Sequence, residues 1–398
     1  MNNKLYNNKT KLSDGAALYI FAFLAMYLVQ ILITVVVQIF AGDNALEIFD
    51  LPTMNYFLSF LTQATFIAVI FAYGKMSNKN FILRMPTKFK LNAKQILLVI
   101  CIPVFCIFAF LPLANLFIGL LMKCGFIPIT SNVPLTKNFG YYCLSLFFVA
   151  VLPSIGEEFL FRGAIANTLK QKSYLFAMLI SAWMFSIMHN NAVQLVHQFL
   201  LGVVMCYVFF ATKSIWASVI VHFVNNAIAI TVGYVMDVLG KGNSDEVILT
   251  FSNAILYVFV AIVGMMALFA LLRLFTKECM KKKQQECNFA LVQEKDENIV
   301  KAYFISIANA FYPKGIKKNC DKINNILEYL NAGQEELNEL AEPTPEAEVK
   351  DKELKALIEQ EKEFMIKKEK KVDRTSLAIG IALVSAVWVI VFLTGFKK

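Results

Sequence analysis

The side chains that could do acid–base chemistry lie in short polar motifs within otherwise apolar sequence. The first motif contains the acidic pair Glu157 and Glu158 and a base, Arg162. Glu158 and Arg162 are four residues apart, so on a helix they share one face and can neutralise each other. Glu157 points to another face and has no partner on its own helix. A carboxylate in an apolar site takes up a proton readily and can act as a general base, although a Glu–Arg pair can also serve only to hold two helices in register.

Two further motifs place histidines on helix faces. Phe185 and His189 are four residues apart, and so are His222 and Asn226. In the second motif the aromatic ring could fix the imidazole, and the alternative is a histidine at a helix end that a neighbouring amide or carbonyl satisfies. In the third motif the histidine and the amide could bind a metal or stabilise an oxyanion, and the alternative is hydrogen bonding between helices.

The three motifs are more informative together than singly. Polar groups without partners are costly in hydrocarbon, so we expect the three motifs to meet in one site. A glutamate, two histidines and an asparagine in one site are suited to hydrolysis. A third histidine, His197, lies outside the motifs near Gln194 and Gln198, and it is predicted to pack in the bundle or to line a cavity.

The elements that must position these residues are membrane helices. Of the 398 residues, 58% are hydrophobic and 17% are charged, and the mean hydropathy is +0.59. Soluble proteins carry about 45–50% apolar and about 25% charged residues, which excludes an ordinary soluble enzyme, and the composition also excludes a disordered chain. The apolar residues form long runs without alternation. They therefore exclude a β-barrel and predict an all-α, polytopic membrane helical bundle.

Apolar length predicts about eight spanning helices in the bundle and a ninth near the C-terminus. The predicted helices run over residues 16–40, 54–74, 95–122, 140–161, 174–189, 193–211, 214–236 and 247–275, followed by 377–396. The fifth and sixth are short, since a span needs about 20 residues. Basic loops alternate with acidic or neutral loops, so the positive-inside rule predicts a cytoplasmic N-terminus. A multi-pass protein of the plasma membrane is expected. The net charge of +9 is attributed to this orientation, and no nucleic-acid partner is expected.

Composition divides the chain into four parts. Residues 1–15 are predicted to form a cytoplasmic N-terminus, and residues 16–276 are predicted to form the transmembrane helical domain, in which the three motifs lie at about 140–235. Residues 277–376 are rich in Lys, Glu, Asn and Gln and are predicted to form a cytosolic, charged, helical region. Residues 377–396 then anchor this tail in the membrane. The tail could bind a protein partner that the sequence does not identify, or it could be a solvated appendage.

The order Glu-Glu-x-x-x-Arg, Phe-x-x-x-His and His-x-x-x-Asn on successive membrane helices resembles the CPBP family. This family, also called Abi, comprises the CAAX prenyl endopeptidases and proteins of bacteriocin processing and self-immunity. Gly202 and the turn at 213–216 before His222 also look like that family. The resemblance covers about a quarter of the chain, within residues 140–235, and it leaves the tail at 277–398 outside the pattern.

The resemblance implies an intramembrane endopeptidase, which could be a metalloendopeptidase or a glutamate-based enzyme. By motif position, Glu157 would be the general base that activates water. His189 and His222 would orient that water, or together with Glu157 they would bind a divalent metal such as zinc. Asn226 would stabilise the oxyanion. Two histidines and one glutamate suit a zinc ion with an open position, and the same groups suit a metal-free site.

The resemblance also implies supporting residues and a class of substrate. Glu158 would complete the catalytic set, and with Arg162 it would hold the helix, unless Arg162 receives a substrate carboxylate. Phe185 would support the histidine next to it. The substrate would be a membrane-associated peptide, either prenylated and of the CAAX type or bacteriocin-like. The His-Glu-x-x-His motif of another protease class is absent from the sequence.

Two other functions are compatible with the motifs. The first is a non-enzymatic immunity or partner-binding scaffold of the same fold, although a scaffold has no need for an unpaired Glu157. The second is a transporter with a proton-coupled carboxylate, against which the lack of an inverted repeat and the single polar cluster argue weakly. A Glu157→Gln variant that keeps the biological activity would favour the scaffold, and one that loses solute flux would favour the transporter.

The motifs can meet only if the fourth helix is longer than its apolar run. His222 lies about eight residues into the seventh helix, roughly 12 Å from the cytoplasmic end, whereas Glu157 lies near the cytoplasmic end of the fourth helix. We therefore predict that the fourth helix continues past Arg162 to about Leu169, and that His189 lies near Glu157.

Overall fold

The described residues of the computed structural model are 10–79, 81–89, 91–128, 137–240 and 250–286, with scattered positions between 378 and 393. Within these residues, all secondary-structure elements longer than one residue are helices, which confirms the all-α bundle. Most of the predicted cytosolic region 277–376 and most of the predicted N-terminus 1–15 lie outside the described residues. The predictions for those two parts of the chain stay predictions.

Within the described residues eight long helices follow one another, and we label them α1 to α8. They are α1 (Leu12–Ala41), α2 (Pro52–Met76), α3 (Ala93–Lys123), α4 (Phe139–Leu169), α5 (Tyr174–Met188), α6 (Ala192–Thr212), α7 (Ile215–Val238) and α8 (Phe251–Glu286). Short helices at Ala45–Asp50 and Phe81–Arg84 lie in the connections. Each long helix coincides with one of the eight predicted helices, which confirms a helical membrane bundle.

Helix length separates α5 from the other long helices. Within the described residues, seven helices are long and apolar enough to cross a membrane, and α5, with 15 residues, is shorter. The expected shortness of the fifth helix is therefore confirmed, whereas the sixth, with 21 residues, is long enough to span. Helix α8 continues to Glu286, beyond the predicted domain boundary at 276, because the Lys, Gln and Glu residues after the apolar run are good helix formers.

Polar caps determine where the site-bearing helices begin. Ser173 Oγ accepts a hydrogen bond of 3.0 Å from the Phe176 N–H at the start of α5. Asn191 Oδ1 accepts one of 2.9 Å from the Val193 N–H at the start of α6. These caps satisfy backbone N–H groups that a helix start leaves without a partner. His189 directly follows α5, so the cap at Ser173 and the length of α5 set the position of His189 in the bundle.

Helix α4 is continuous to Leu169, which confirms the predicted extension past Arg162. It is not a uniform α-helix, because π-helical turns lie at Leu146–Val151 and Phe159–Ala166, on either side of the two glutamates. Pro153 follows the first of these turns and has no N–H to donate to the carbonyl four residues earlier. Such π-turns are frequent at functional sites, where they change the direction of the side chains that follow.

Helix α8 packs closely against α3. A Cβ added to Gly264 of α8 would lie 2.6 Å from the carbonyl carbon of Phe108 in α3, so only glycine allows this approach. Small residues at such contacts let helix backbones come together in membrane proteins. In the C-terminal segment, Phe392 stacks on Phe126 just beyond α3, with ring centroids 5.4 Å apart. The described helical positions there agree with the predicted ninth helix.

Candidate active site

The three predicted motifs meet between α4, α5 and α7. Glu157 Oε2 lies 4.0 Å from His189 Nε2 and 3.9 Å from His222 Nε2. The exposed fraction of the side chain is 14% for Glu157, 20% for His189 and 2% for His222. The prediction that His189 lies near Glu157 is confirmed. The side chains of Glu157 and His189 keep some exposed surface, although Glu157 Oε2 itself is buried, whereas the imidazole of His222 is enclosed.

Hydrogen bonds on the Nδ1 atoms orient both imidazoles. His189 Nδ1 donates to the Phe185 carbonyl oxygen at 2.8 Å, one turn earlier in the chain. His222 Nδ1 donates to Glu158 Oε1 at 2.9 Å, a contact between residues 64 positions apart. A neutral imidazole with its proton on Nδ1 has an acceptor lone pair on Nε2. Both Nε2 atoms are therefore left for a group that lies between them and Glu157.

Glu158 forms the predicted ion pair with Arg162, and the pair is fully enclosed. Arg162 Nη1 donates to Glu158 Oε1 at 2.7 Å, and neither side chain has any exposed surface. Arg162 Nη2 also donates to the Gly202 carbonyl oxygen in α6 at 3.1 Å. A Cβ on Gly202 would lie 3.0 Å from Ala182 Cβ in α5, so the glycine also lets α5 and α6 approach each other. This guanidinium holds α4 against α6, and its burial does not fit the alternative role of receiving a substrate carboxylate.

The ring of Phe185 contacts both histidines and Arg162. Its ring centroid lies 4.7 Å from that of His189 and 5.7 Å from that of His222, both in edge-to-face geometry. Arg162 Cζ lies 4.5 Å from the same centroid. These are favourable aromatic and cation–π arrangements. The ring contacts His189, as a supporting residue would, and it also contacts His222 and Arg162.

Asn226 lies one turn after His222 in α7 and binds a backbone carbonyl. In the described part of the chain, Asn226 Nδ2 donates to the Val149 carbonyl oxygen at 3.1 Å, and Asn226 Oδ1 accepts a hydrogen bond of 3.2 Å from Asn225 Nδ2. Pro153 cannot supply the α-helical hydrogen bond to Val149, so the amide replaces that donor. An amide has two N–H groups, and the second is left for another acceptor.

His197 is linked to the same stretch of α7. His197 Nε2 lies within hydrogen-bond distance of Asn225 Oδ1, at 3.2 Å, and the ring is edge-on to Phe110 with centroids 6.4 Å apart. The predicted packing role is therefore accompanied by a hydrogen bond from α6 to α7. Neither contact follows from the three motifs, because Phe110 belongs to none of them and Asn225 occupies an unspecified position of His-x-x-x-Asn.

Glu157 has a partner that the motifs do not include. Gln63 Nε2 in α2 donates to Glu157 Oε1 at 3.2 Å. Glu157 has no partner on its own helix, as expected, and the contact with Gln63 is one that the three motifs do not predict. A glutamine in an apolar run is a signal that could have indicated this contact, because a buried amide needs partners. Glu157 Oε2, in contrast, has no hydrogen-bond partner among the described residues.

The three predicted metal ligands are of the residue types that bind zinc, but their ligand atoms lie further apart than in a zinc site. Glu157, His189 and His222 supply a carboxylate and two imidazoles held at Nδ1, as zinc ligands usually are. Ligand atoms around a tetrahedral zinc ion lie roughly 3.4 Å apart, whereas the separations here are 3.9 and 4.0 Å. Across the described ranges, no three His, Cys, Asp or Glu side chains are arranged to hold a metal ion. The residues as placed do not fit a closed zinc site.

Comparisons with known proteins agree with these motifs. Residues 139–228 match a family model described as type II CAAX prenyl endopeptidase Rce1-like. The match runs from the start of α4 into α7 and contains all three motifs, so it confirms the resemblance to the CPBP family. No curated protein matches the chain, and no solved structure does. Seven helices of the described residues are long and apolar enough to cross a membrane, so the chain is an integral, multi-pass membrane protein, and its residues 139–228 are similar to CAAX-type intramembrane proteases.

Proposed function

We propose that the protein is an intramembrane endopeptidase that hydrolyses membrane-associated peptides, with Glu157 as the base that activates water. One observation carries the proposal. Glu157 Oε2 has no hydrogen-bond partner among the described residues and faces the Nε2 atoms of His189 and His222 at 4.0 and 3.9 Å. These separations are too long for direct hydrogen bonds and are compatible with a water molecule held between the groups.

In the proposed reaction Glu157 first accepts a proton and then donates it. Glu157 Oε2 takes a proton from the water while the water oxygen attacks the carbonyl carbon of the peptide bond. The carbonyl oxygen becomes the negatively charged oxygen of a tetrahedral intermediate. Glu157 then gives its proton to the peptide nitrogen, the C–N bond breaks, and the products are a carboxylic acid and an amine. The protein forms no covalent bond to the substrate.

The surrounding residues orient the reactants. One O–H of the water donates to Glu157 Oε2 and the other donates to an Nε2 atom of His189 or His222, and Glu158 keeps His222 in place through the hydrogen bond at Nδ1. The amide N–H of Asn226 that is not donated to Val149 stabilises the oxyanion. A fixed donor of this kind stabilises the transition state more than the substrate, because the charge develops only during the reaction.

The proposed substrate is a peptide anchored in or on the membrane. The description of the matched family supports a prenylated CAAX-type peptide, and the resemblance keeps a bacteriocin-like precursor as the second possibility. We place the protein in the plasma membrane, and the alternation of basic loops supports a cytoplasmic N-terminus and a site that opens toward the cytoplasm. We also propose that the cytosolic tail, residues 277–376, binds a protein partner.

A comparison of peptide termini tests the proposed function. Membranes are prepared from cells that make the wild type or Glu157→Gln at equal protein levels, and new peptide termini are identified by mass spectrometry. We expect termini that appear only with the wild type, and these termini identify the substrate. Treatment of the wild-type membranes with a chelator then tests the metal, and we expect the termini to persist because the ligand spacing does not fit zinc.

Other outcomes would favour the other functions. Identical termini with both proteins would contradict proteolysis by Glu157. Biological activity that survives in Glu157→Gln would then favour an immunity or partner-binding scaffold. Loss of ion or solute flux in the same variant would favour a transporter.

A further inference from the structure

The base in the proposed site is held by a helix outside the matched segment. Gln63 lies in α2, whereas the family match begins at residue 139. Its amide nitrogen donates to Glu157 Oε1 at 3.2 Å, and the residue is only 7% exposed. Within the described residues, no other side chain donates a hydrogen bond to Glu157. The two oxygens of Glu157 are therefore unequal, since one accepts a hydrogen bond and the other faces the two imidazoles.

Gly156 provides the space that Gln63 occupies. A Cβ on Gly156 would lie 2.4 Å from Gln63 Oε1, 3.0 Å from Gln63 Cβ and 3.3 Å from Gln63 Cδ. Real Cβ atoms do not approach other atoms so closely, so any larger residue at position 156 would displace the amide. The glycine immediately before the base thus lets the glutamine side chain lie across α4 and reach the neighbouring carboxylate.

We propose that Gln63 is a positioning residue that directs Glu157 Oε2 toward His189 and His222. This inference rests on the proposed function of Glu157. The terminal torsion of a glutamate is broad, so a carboxylate with no fixed donor rotates over a wide range. A donor on Oε1 restricts that rotation and keeps Oε2 on the side of the imidazoles. The amide carries no charge, so it orients the carboxylate and leaves it able to accept a proton.

The chain offers a matched control for this contact. Ser59 lies one turn before Gln63 in α2, and its Oγ donates to the Phe148 carbonyl oxygen in α4 at 2.6 Å. Both residues therefore make a hydrogen bond between the same two helices, but only Gln63 bonds to Glu157. A purely structural role predicts similar effects of removing either bond. A positioning role predicts an effect on turnover for Gln63 alone.

The test measures hydrolysis by the full-length protein in lipid vesicles. The probe is a fluorogenic peptide built on a cleavage site that depends on Glu157. We expect Gln63→Leu to lower kcat by about tenfold to a hundredfold, as loss of a supporting partner typically does, with KM nearly unchanged. Gly156→Ala, which displaces the amide without removing it, is expected to lower kcat in the same way. Ser59→Ala is expected to keep the kcat of the wild type.

The outcomes separate this inference from the proposed function. Equal kcat values for Gln63→Leu, Ser59→Ala and the wild type would overturn the inference while leaving the proposed function intact. Equal losses in Gln63→Leu and Ser59→Ala, with lowered thermal midpoints, would show that both residues are only structural. If Gln63→Leu does not fold, Gly156→Ala decides by the same kcat criterion. If the wild type shows no Glu157-dependent hydrolysis, the proposed function fails and the inference fails with it.

Discussion

Glu157 and Glu158 are neighbours in α4, yet the groups around them are arranged in opposite ways. The closed cluster consists of Glu158, Arg162 and the Nδ1 side of His222, and its two charged side chains have no exposed surface. The open cluster consists of Glu157, His189 and the Nε2 side of His222. Glu157 Oε2 lies 4.0 Å from His189 Nε2 and 3.9 Å from His222 Nε2, and the Glu157 side chain is 14% exposed.

The difference indicates two separate tasks for two adjacent carboxylates. In the closed cluster Glu158 Oε1 accepts hydrogen bonds from a guanidinium and from an imidazole N–H, so the cluster stabilises the helix contacts and fixes the orientation of His222. In the open cluster one carboxylate oxygen and two imidazole nitrogens are kept for reactants. His222 belongs to both clusters through its two nitrogens, so the closed cluster determines part of the geometry of the open one.

Breaking the closed cluster should have the largest effect on folding. Arg162→Met removes the guanidinium and leaves Glu158 as a buried charge with reduced compensation. Breaking a buried pair in this way costs about 3–5 kcal/mol. We expect a clear fall in the thermal midpoint, measured by the unfolding of the protein in lipid vesicles or detergent.

A double variant shows whether the lost stability comes from the unpaired charge. Glu158→Gln with Arg162→Met removes both charges while keeping a hydrogen-bond acceptor for His222, so it should regain part of the midpoint. A midpoint of Arg162→Met equal to that of the wild type would contradict the role given to the closed cluster.

Asn226 should contribute mainly to turnover. We expect Asn226→Ala to lower kcat by about a hundredfold or more, because an oxyanion donor acts in the transition state, and to change KM little. Tyr142→Phe is the matched control, since the Tyr142 hydroxyl lies 3.1 Å from Thr231 Oγ1 and links α4 to α7 away from Glu157. Equal kcat losses in the two variants would show that Asn226 serves only to hydrogen-bond the Val149 carbonyl.

Phe185 should give the smallest effect, shared between the two clusters. Phe185→Leu keeps an apolar side chain but removes the ring that contacts His189, His222 and Arg162. Aromatic and cation–π contacts of this kind contribute about 0.5–2 kcal/mol. We expect a modest fall in the thermal midpoint together with a few-fold fall in kcat. A change in only one of the two quantities would show that the ring serves a single cluster.

Sequence reasoning predicts the features that depend on local spacing. The eight helices follow from apolar length, and the Glu158–Arg162 pair follows from a spacing of four residues on one helix. The extension of α4 to Leu169 follows from the requirement that His189 and Glu157 meet, although its apolar run ends earlier. These predictions need only helix periodicity and the high cost of unpaired polar groups in a membrane.

The remaining contacts depend on how the helices are rotated and shifted against one another. Gln63 reaches Glu157 across 94 residues of sequence, and His222 reaches Glu158 across 64. Periodicity identifies the face of a helix but not the neighbour that the face meets. The π-helical turns in α4 add a further local rotation that a regular period of 3.6 residues does not include. The closed cluster around Glu158 could therefore be predicted only in part.

The most direct test of the account compares Glu157→Gln with Glu158→Gln in the same vesicle preparations. Hydrolysis of a Glu157-dependent peptide and the thermal midpoint are measured for both variants and the wild type. We expect Glu157→Gln to lower kcat at least about a hundredfold with an unchanged thermal midpoint. We expect Glu158→Gln to lower the thermal midpoint. Retained hydrolysis in Glu157→Gln, or a midpoint that falls as far as in Glu158→Gln, would contradict the account.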